Sequence, residues 1–288
     1  MNNSESPKTE KIQKFLANRG FGSRREMEEW IKQGRIRING ATATIGDRVS
    51  GDERIQVNGK PIDRRAIKKD KTKIVIYHKP VGEITTRKDP EKRPTVFAKL
   101  PKLRGAKWIS IGRLDINTSG LLIFTNDGEL ANRFMHPAQQ LDREYAVRVL
   151  GNVESAALTQ LREGVDLEDG FARFSDIVES GGDGANSWFH VVIKEGRNRE
   201  VRRLWEAVGL TVSRLVRVRF GTIILPRELR VGHWRFLDDA EVIEIKKSFG
   251  MTIDDIIEAK QSKQRRIARG VRTKNAMKTK TGKIYRKK

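Results

Sequence analysis

No cysteine occurs in the 288 residues, which excludes disulfides, cysteine nucleophiles and thiolate metal centres. Histidine is nearly as scarce. His78, His136, His190 and His233 lack the close spacing of metal-ligating histidines, so no metal site is expected. No apolar run approaches the roughly 18 residues of a membrane-spanning helix. The opening MNNSESPKTEK is polar where a secretory leader carries an apolar core. Acidic residues are also short: 37 Asp+Glu stand against 59 Lys+Arg, a formal net charge of +22. A soluble, cytoplasmic protein with a polyanionic partner, most often nucleic acid or an anionic membrane face, is expected.

What is present suffices for a packed core. Hydrophobic residues make up 37% of the chain, and the length suits about two domains of roughly 100–200 residues. The charge is unevenly placed. Residues 1–72 carry +7, residues 73–245 only +3, and residues 246–288 carry +12. The longest segment is therefore nearly neutral, and the excess lies on its flanks.

The N-terminal segment reads as two helices and paired strands. Ile12, Phe15 and Leu16 fall on one helical face, with Gly20 placed to end the helix. Ser23 and Glu26 form a capping-box pattern before Met27, Trp30 and Ile31, a second apolar face. Asn39-Gly40 and Asn58-Gly59 each follow an alternating run, the signal of a type I′ hairpin. Arg19, Ser23, Arg24, Arg25, Lys32, Arg35 and Arg37 cluster around the helices. They read either as a solvated charged face or as phosphate contacts near a helix N-terminus. FLANRGFGSRRE and GRIRING are similar to the S4 RNA-binding domain. That resemblance implies an S4-like (αL) module at 10–62 that docks structured RNA by shape and phosphate contacts. Residues 63–72, charged and without periodicity, read as a linker.

From residue 73 strands and helices alternate. KIVIYHKP, WISIGRLD, LLIFTND, EYAVRVLG, WFHVVIK and LVRVRF read as strands, and ELANRFMH, ESAALTQLREG and REVRRLWEAVG as helices. The class is α+β, with a largely antiparallel mixed sheet over residues 73–249. Trp108, Trp188, Trp205 and Trp234 are expected in the core, and His136 and His233 in structural roles. The most informative stretch is GRLDINTSG at 112–120. As half of a calcium loop it fails, because the twelfth position is Asn126 and no helix precedes it. Spacing alone leaves it as a turn in which Asp115 bonds its own backbone.

GRLD followed by SGLLIFTNDG resembles the catalytic motif of the pseudouridine synthases. YHKPVG, REYAV and EGRNREVRRLW match the family's other motifs in order. The sequence is thereby identified as a member of the S4-bearing ribosomal branch, the RsuA family, and it looks closest to the members that act on the large subunit. The resemblance implies isomerisation of one uridine in 23S ribosomal RNA, without a cofactor. It gives the essential carboxylate to Asp115. To Arg202 it gives the cation that keeps this carboxylate ionised against desolvation. Tyr145 then stacks on the target base and is a candidate to accept the C5 proton. Arg113 helps to fill the space of the displaced uridine or holds its phosphate, at an unstacking cost of a few kcal/mol. Lys79, Asn198, Arg199 and Arg203 complete the expected RNA contacts. Arg199, Arg202 and Arg203 read as one helical face, opposite Val201, Leu204, Trp205 and Val208.

Residues 250–288 read as a short helix capped by Thr252, followed by a basic stretch that is disordered when free and holds phosphates nonspecifically. The expected protein is a monomer whose partner is ribosomal RNA or an assembly particle. Two alternatives remain: another ribosomal target, including the small subunit, or an RNA-binding assembly factor without turnover.

Overall fold

The computed structural model describes residues 9–62, 71–103, 106–183 and 185–251. Most of the expected linker, and the tail from residue 252 with its Thr252 cap, lie outside the described residues.

In the N-terminal module, β1 (Glu10–Lys11) leads into α1 (Ile12–Asn18) and α2 (Arg24–Lys32). The strands β2 (Ile36–Ile38), β3 (Ala41–Thr42), β4 (Arg48–Val49), β5 (Ile55–Val57) and β6 (Lys60–Pro61) follow. A four-stranded sheet runs β3-β2-β5-β6, while β1 pairs with β4. Both Asn-Gly pairs make the expected turns: Asn39, Gly40, Asn58 and Gly59 all have positive φ, as a type I′ hairpin requires. The capping box of α2 forms in full, with Ser23 Oγ accepting from the Glu26 amide and Glu26 accepting from the Ser23 amide. Ile12, Phe15 and Leu16 of α1 pack against Met27 and Ile31 of α2 and against Ile36, Val49, Ile55 and Val57.

The second region opens on β7 (Ile74–Lys79), β8 (Ile109–Ile111), β9 (Ser119–Thr125), α3 (Gly128–Met135), β10 (Arg143–Leu150) and α4 (Ser155–Glu163). After the hairpin β11 (Val165–Leu167) and β12 (Gly170–Ala172) come β13 (Asp176–Asp183), β14 (Asn186–Ile193) and α5 (Glu200–Ala207). It ends with β15 (Thr211–Phe220), β16 (Ile223–Ile224) and β17 (Trp234–Phe236). The sheet runs β13-β14-β10-β15-β9-β7-β17, with β8 added at β9 and β16 at β15. Every ladder in it is antiparallel except β15 with β9. All seven residues of β9 are buried, which explains why SGLLIFT reads as a continuous apolar run instead of an alternation.

The core sits where α5 meets the sheet. Trp205 is fully buried and stacks obliquely on Phe174 and Phe189 at centroid distances of 6.0 and 5.2 Å. Trp108 is buried as expected, while Trp188 and Trp234 are half-buried. Residues from Leu237 form a separate compact unit with one described helix, α6 (Asp239–Ser248), opened by an Asp238–Glu241 capping box. Among the described residues no helix is long and apolar enough to cross a membrane.

Candidate active site

The loop between β8 and β9 carries Asp115, and its backbone is unusually constrained. Thr85 Oγ1 donates to the Leu114 carbonyl (3.0 Å) and the Gly82 amide to that of Ile116 (2.8 Å). Arg202 Nη2 donates to the Asn117 carbonyl (2.9 Å). Lys79 Nζ takes the carbonyls of Asp115 (3.0 Å) and Thr118 (2.8 Å), and adds that of Pro80 (2.9 Å). Every carbonyl from Leu114 to Thr118 is thus held by a donor from outside the loop. A carboxylate mounted on such a loop is preorganised, since the five carbonyls around it are already engaged before a substrate binds.

Two buried cations lie beneath Asp115. Lys79 has 0% exposure, and burial pushes its ammonium down to about 8, opposed by the charges of Glu83 and Asp115. Arg202 has 8% exposure; burial lowers its pKa, the neighbouring Arg199 charge adds to that, and Asp115 opposes it. The second Arg202 bond runs from Nη1 to the Val212 carbonyl at 2.8 Å. Arg202 therefore ties the Asp115 loop to β15.

Asp115 opens onto a cavity of about 630 Å³. Residues of β10 and β15 also line it, and there Tyr145 pairs directly with Arg217. Tyr145 shows 8% exposure, so one edge of the ring reaches the cavity. Arg143, two residues before it on the same face, is lowered by burial and spends Nη1 on the Leu141 and Lys194 carbonyls. The rim holds Arg113, Asn198 and Arg199, all exposed. Glu200 also lines it; burial raises its carboxyl, which accepts from the Arg197 amide at 3.0 Å.

Several expectations need correcting. Lys79 makes no surface for RNA, because it is wholly enclosed and spends its protons on carbonyls. Arg202 forms no ion pair with Asp115; it acts on the loop's backbone and senses the carboxylate only through space. The three arginines do not share an exposed face. Arg199 precedes α5 in the left-handed conformation (φ 48°) and pairs with Glu206, and Arg202 is buried with Val201, Leu204 and Trp205. Arg203 is held bidentately by Asp169 of the β11–β12 hairpin at 2.8 and 2.9 Å. In the N-terminal module, Arg19 is turned inward, stacked on Phe15 and paired with Glu10 at 3.1 Å. Arg35 covers Trp30 and bonds Asn58, and Lys32 pairs with Glu29. Ser23, Arg24, Arg25 and Arg37 remain exposed.

His136 and His233 keep to local structure: the first accepts from the Ala138 amide, and the second contacts the Val231 carbonyl. Arg217, which the sequence reading missed, lies deep in the wall. The LVRVRF run reads only as a strand, and pairing with β9 on one side and β10 on the other places Arg217 inside the sheet.

A basic helical module, joined to a mixed-sheet region whose cavity is lined by a carboxylate on a fixed loop and by a tyrosine, is the layout of an RNA-directed enzyme. The S4 domain family matches residues 10–55, and the RNA pseudouridylate synthase family matches residues 73–207. A relative from Escherichia coli, Ribosomal large subunit pseudouridine synthase B, is 56% identical over 235 residues, 81% of each chain. The protein of that name from Pseudomonas aeruginosa is 53% identical over 250 residues. That match covers 86% of this chain but only 65% of the longer relative. A crystal structure of a pseudouridylate synthase shares the fold, with a TM-score of 0.57, 24% identity and coverage of 82% of this chain and 99% of that one. The chain belongs to the S4-bearing branch of the RNA pseudouridylate synthase family.

Proposed function

We propose that the chain isomerises one uridine of 23S, large-subunit ribosomal RNA to pseudouridine, breaking the ribose–N1 bond and rejoining the ring through C5. The observation that carries this reading is Asp115, on a loop with five fixed carbonyls, lining a cavity that Tyr145 also lines. A pure RNA binder has no use for a carboxylate immobilised in this way. The relatives named for the large subunit support that target.

In this reading Asp115 acts beside the sugar and base, Tyr145 stacks on the ring, and Arg202 is a positioning residue. Arg113, Asn198 and Arg199 meet the RNA at the rim. Residues 10–62 dock it through Arg24, Arg25 and Arg37, with Arg19, Ser23, Lys32 and Arg35 shaping that surface. Residues 63–72 link the module to the catalytic region at 73–249, and the basic residues at 250–288 add phosphate affinity. The protein works as a cytoplasmic monomer without a cofactor.

Asp115→Asn is expected to abolish pseudouridine formation and leave RNA affinity within several-fold. The check is chemical mapping of pseudouridine in ribosomal RNA from cells carrying the wild-type or variant gene, with a binding titration beside it. An unchanged map from the variant would sink the reading.

A further inference from the structure

Arg217 sits in β15 with 2% exposure and lines the cavity. Among the described residues the sole hydrogen bond of its side chain runs from Nε to the Leu121 carbonyl at 2.8 Å. Its Nη2 is shielded from solvent and has no partner. A guanidinium cannot shed its proton as an amine can, so burial leaves a fixed charge with most of its N–H donors unpartnered. An uncompensated buried ion costs several kcal/mol. Lys79, equally enclosed, satisfies itself on three carbonyls; Arg217 does not.

The placement is rigid. Arg217 pairs with Gly120 of β9 on one side and with Tyr145 of β10 on the other. A Cβ at Gly120 would lie 2.5 Å from the Arg217 amide nitrogen, so only glycine allows the strands to approach this closely. Cross-strand partners share a face, so Arg217 and Tyr145 both line the cavity, and the guanidinium lies over the Phe220 ring at 5.2 Å. Thr118 adds a second unsatisfied group to the same cavity: 2% exposed, with an unpartnered Oγ1. A buried polar group without a partner calls for a reason, and in the wall of a cavity a ligand can supply the missing one.

We propose that Arg217 is a catalytic residue, donating to a ring oxygen of the target uracil and holding the negative charge of that ring while it is detached from the sugar. The proposal rests on the functional reading above. When the C1′–N1 bond breaks, its electron pair stays with the ring and spreads over N1 and the carbonyl oxygens. The ring turns, and C5 gives a pair to C1′. The proton that C5 loses is matched by the one N1 gains, so nothing is oxidised or reduced. Between these events the ring is an anion shielded from water. A preorganised donor aimed at such charge is worth about 10²–10³ in rate.

The test compares wild type, Arg217→Met and Arg217→Lys in single turnovers on an RNA stem-loop bearing uridine or 5-fluorouridine at the target. Fluorine makes the ring a better anion, so the detached base needs less help. Arg217→Met is expected to slow rearrangement of uridine by about 10²–10³ with RNA affinity within several-fold. On the fluorinated substrate the defect shrinks by about tenfold or more. Arg217→Lys, which keeps the charge, falls between wild type and Arg217→Met on both substrates, so the comparison survives if the methionine variant does not fold. Equal slowing on both substrates, or a loss that follows RNA affinity or melting temperature, would overturn the proposal and leave Arg217 a packing residue. A wild-type protein that leaves uridine unchanged overturns the functional reading instead.

Discussion

Replacing Lys79 by methionine separates the carboxylate from the scaffold that aims it. The ammonium serves three carbonyls; that of Asp115 has a second donor in the Thr118 amide, so those of Pro80 and Thr118 are left unsatisfied. Each costs about 1–3 kcal/mol. Removing a buried cation returns several kcal/mol of desolvation, so the net loss of stability is modest, about 1–3 kcal/mol. The catalytic effect is larger, because a displacement of about 1 Å at a reacting group lowers rate by about 10². The pH dependence sharpens the test. With the folded pKa near 8, the wild-type rate is full below that value and falls above it, as the ammonium loses the proton for one of its three bonds. The stability contribution has the opposite sign. The folded value lies below the ~10.4 of free lysine, so between the two the unfolded chain binds more protons and stability gains about 1.4 kcal/mol per pH unit. Single-turnover pseudouridine formation between pH 6 and pH 10, beside urea unfolding, measures both (pH limits being about two units either side of the shifted value). A Lys79→Met variant with the wild-type rate, or with the same alkaline fall, would refute the reasoning.

Two further outcomes follow. Gly120→Ala forces a side chain against the Arg217 backbone at a φ of 105°. Overpacking at about 1–3 kcal/mol and a left-handed strain of about 1–2 kcal/mol together lower the melting temperature by roughly 5–15 °C; calorimetry that finds less than a degree of change contradicts the close approach. Deleting residues 260–288 removes 13 positive charges and no negative ones. Binding to a large-subunit RNA fragment is then expected to weaken and to depend less steeply on salt, with turnover retained at low salt. A truncated protein that cannot turn over even there would assign the tail a part in the chemistry.

Local signals in the sequence were read reliably where local physics decides. The Asn-Gly turns, the Ser23–Glu26 box and the apolar faces of α1 and α2 all rest on contacts within a few residues. The strand β13 escaped notice because DIVESGGD has neither alternation nor β-branched density; it exists by pairing at the edge of β14. Asp115 was found by resemblance, since spacing alone left it a turn. The roles of Lys79, Arg202 and Arg203 were hidden for another reason. A basic side chain reads as exposed until the fold places carbonyls or a carboxylate around it, and those partners come from Thr118, Asn117 and Asp169, far away in sequence.

The lone parallel ladder, β9 with β15, has a consequence for the order of events during synthesis. The loop of Asp115 emerges early, yet the strand that brings Arg217 beside it, and the helix that supplies Arg202, come roughly a third of the chain later. The hydrophobic core and sheets of the N-terminal module are built from its own residues and are complete long before either. A growing chain can therefore complete its N-terminal module well before the surroundings of Asp115 close, which needs β15 to enter between β9 and β10.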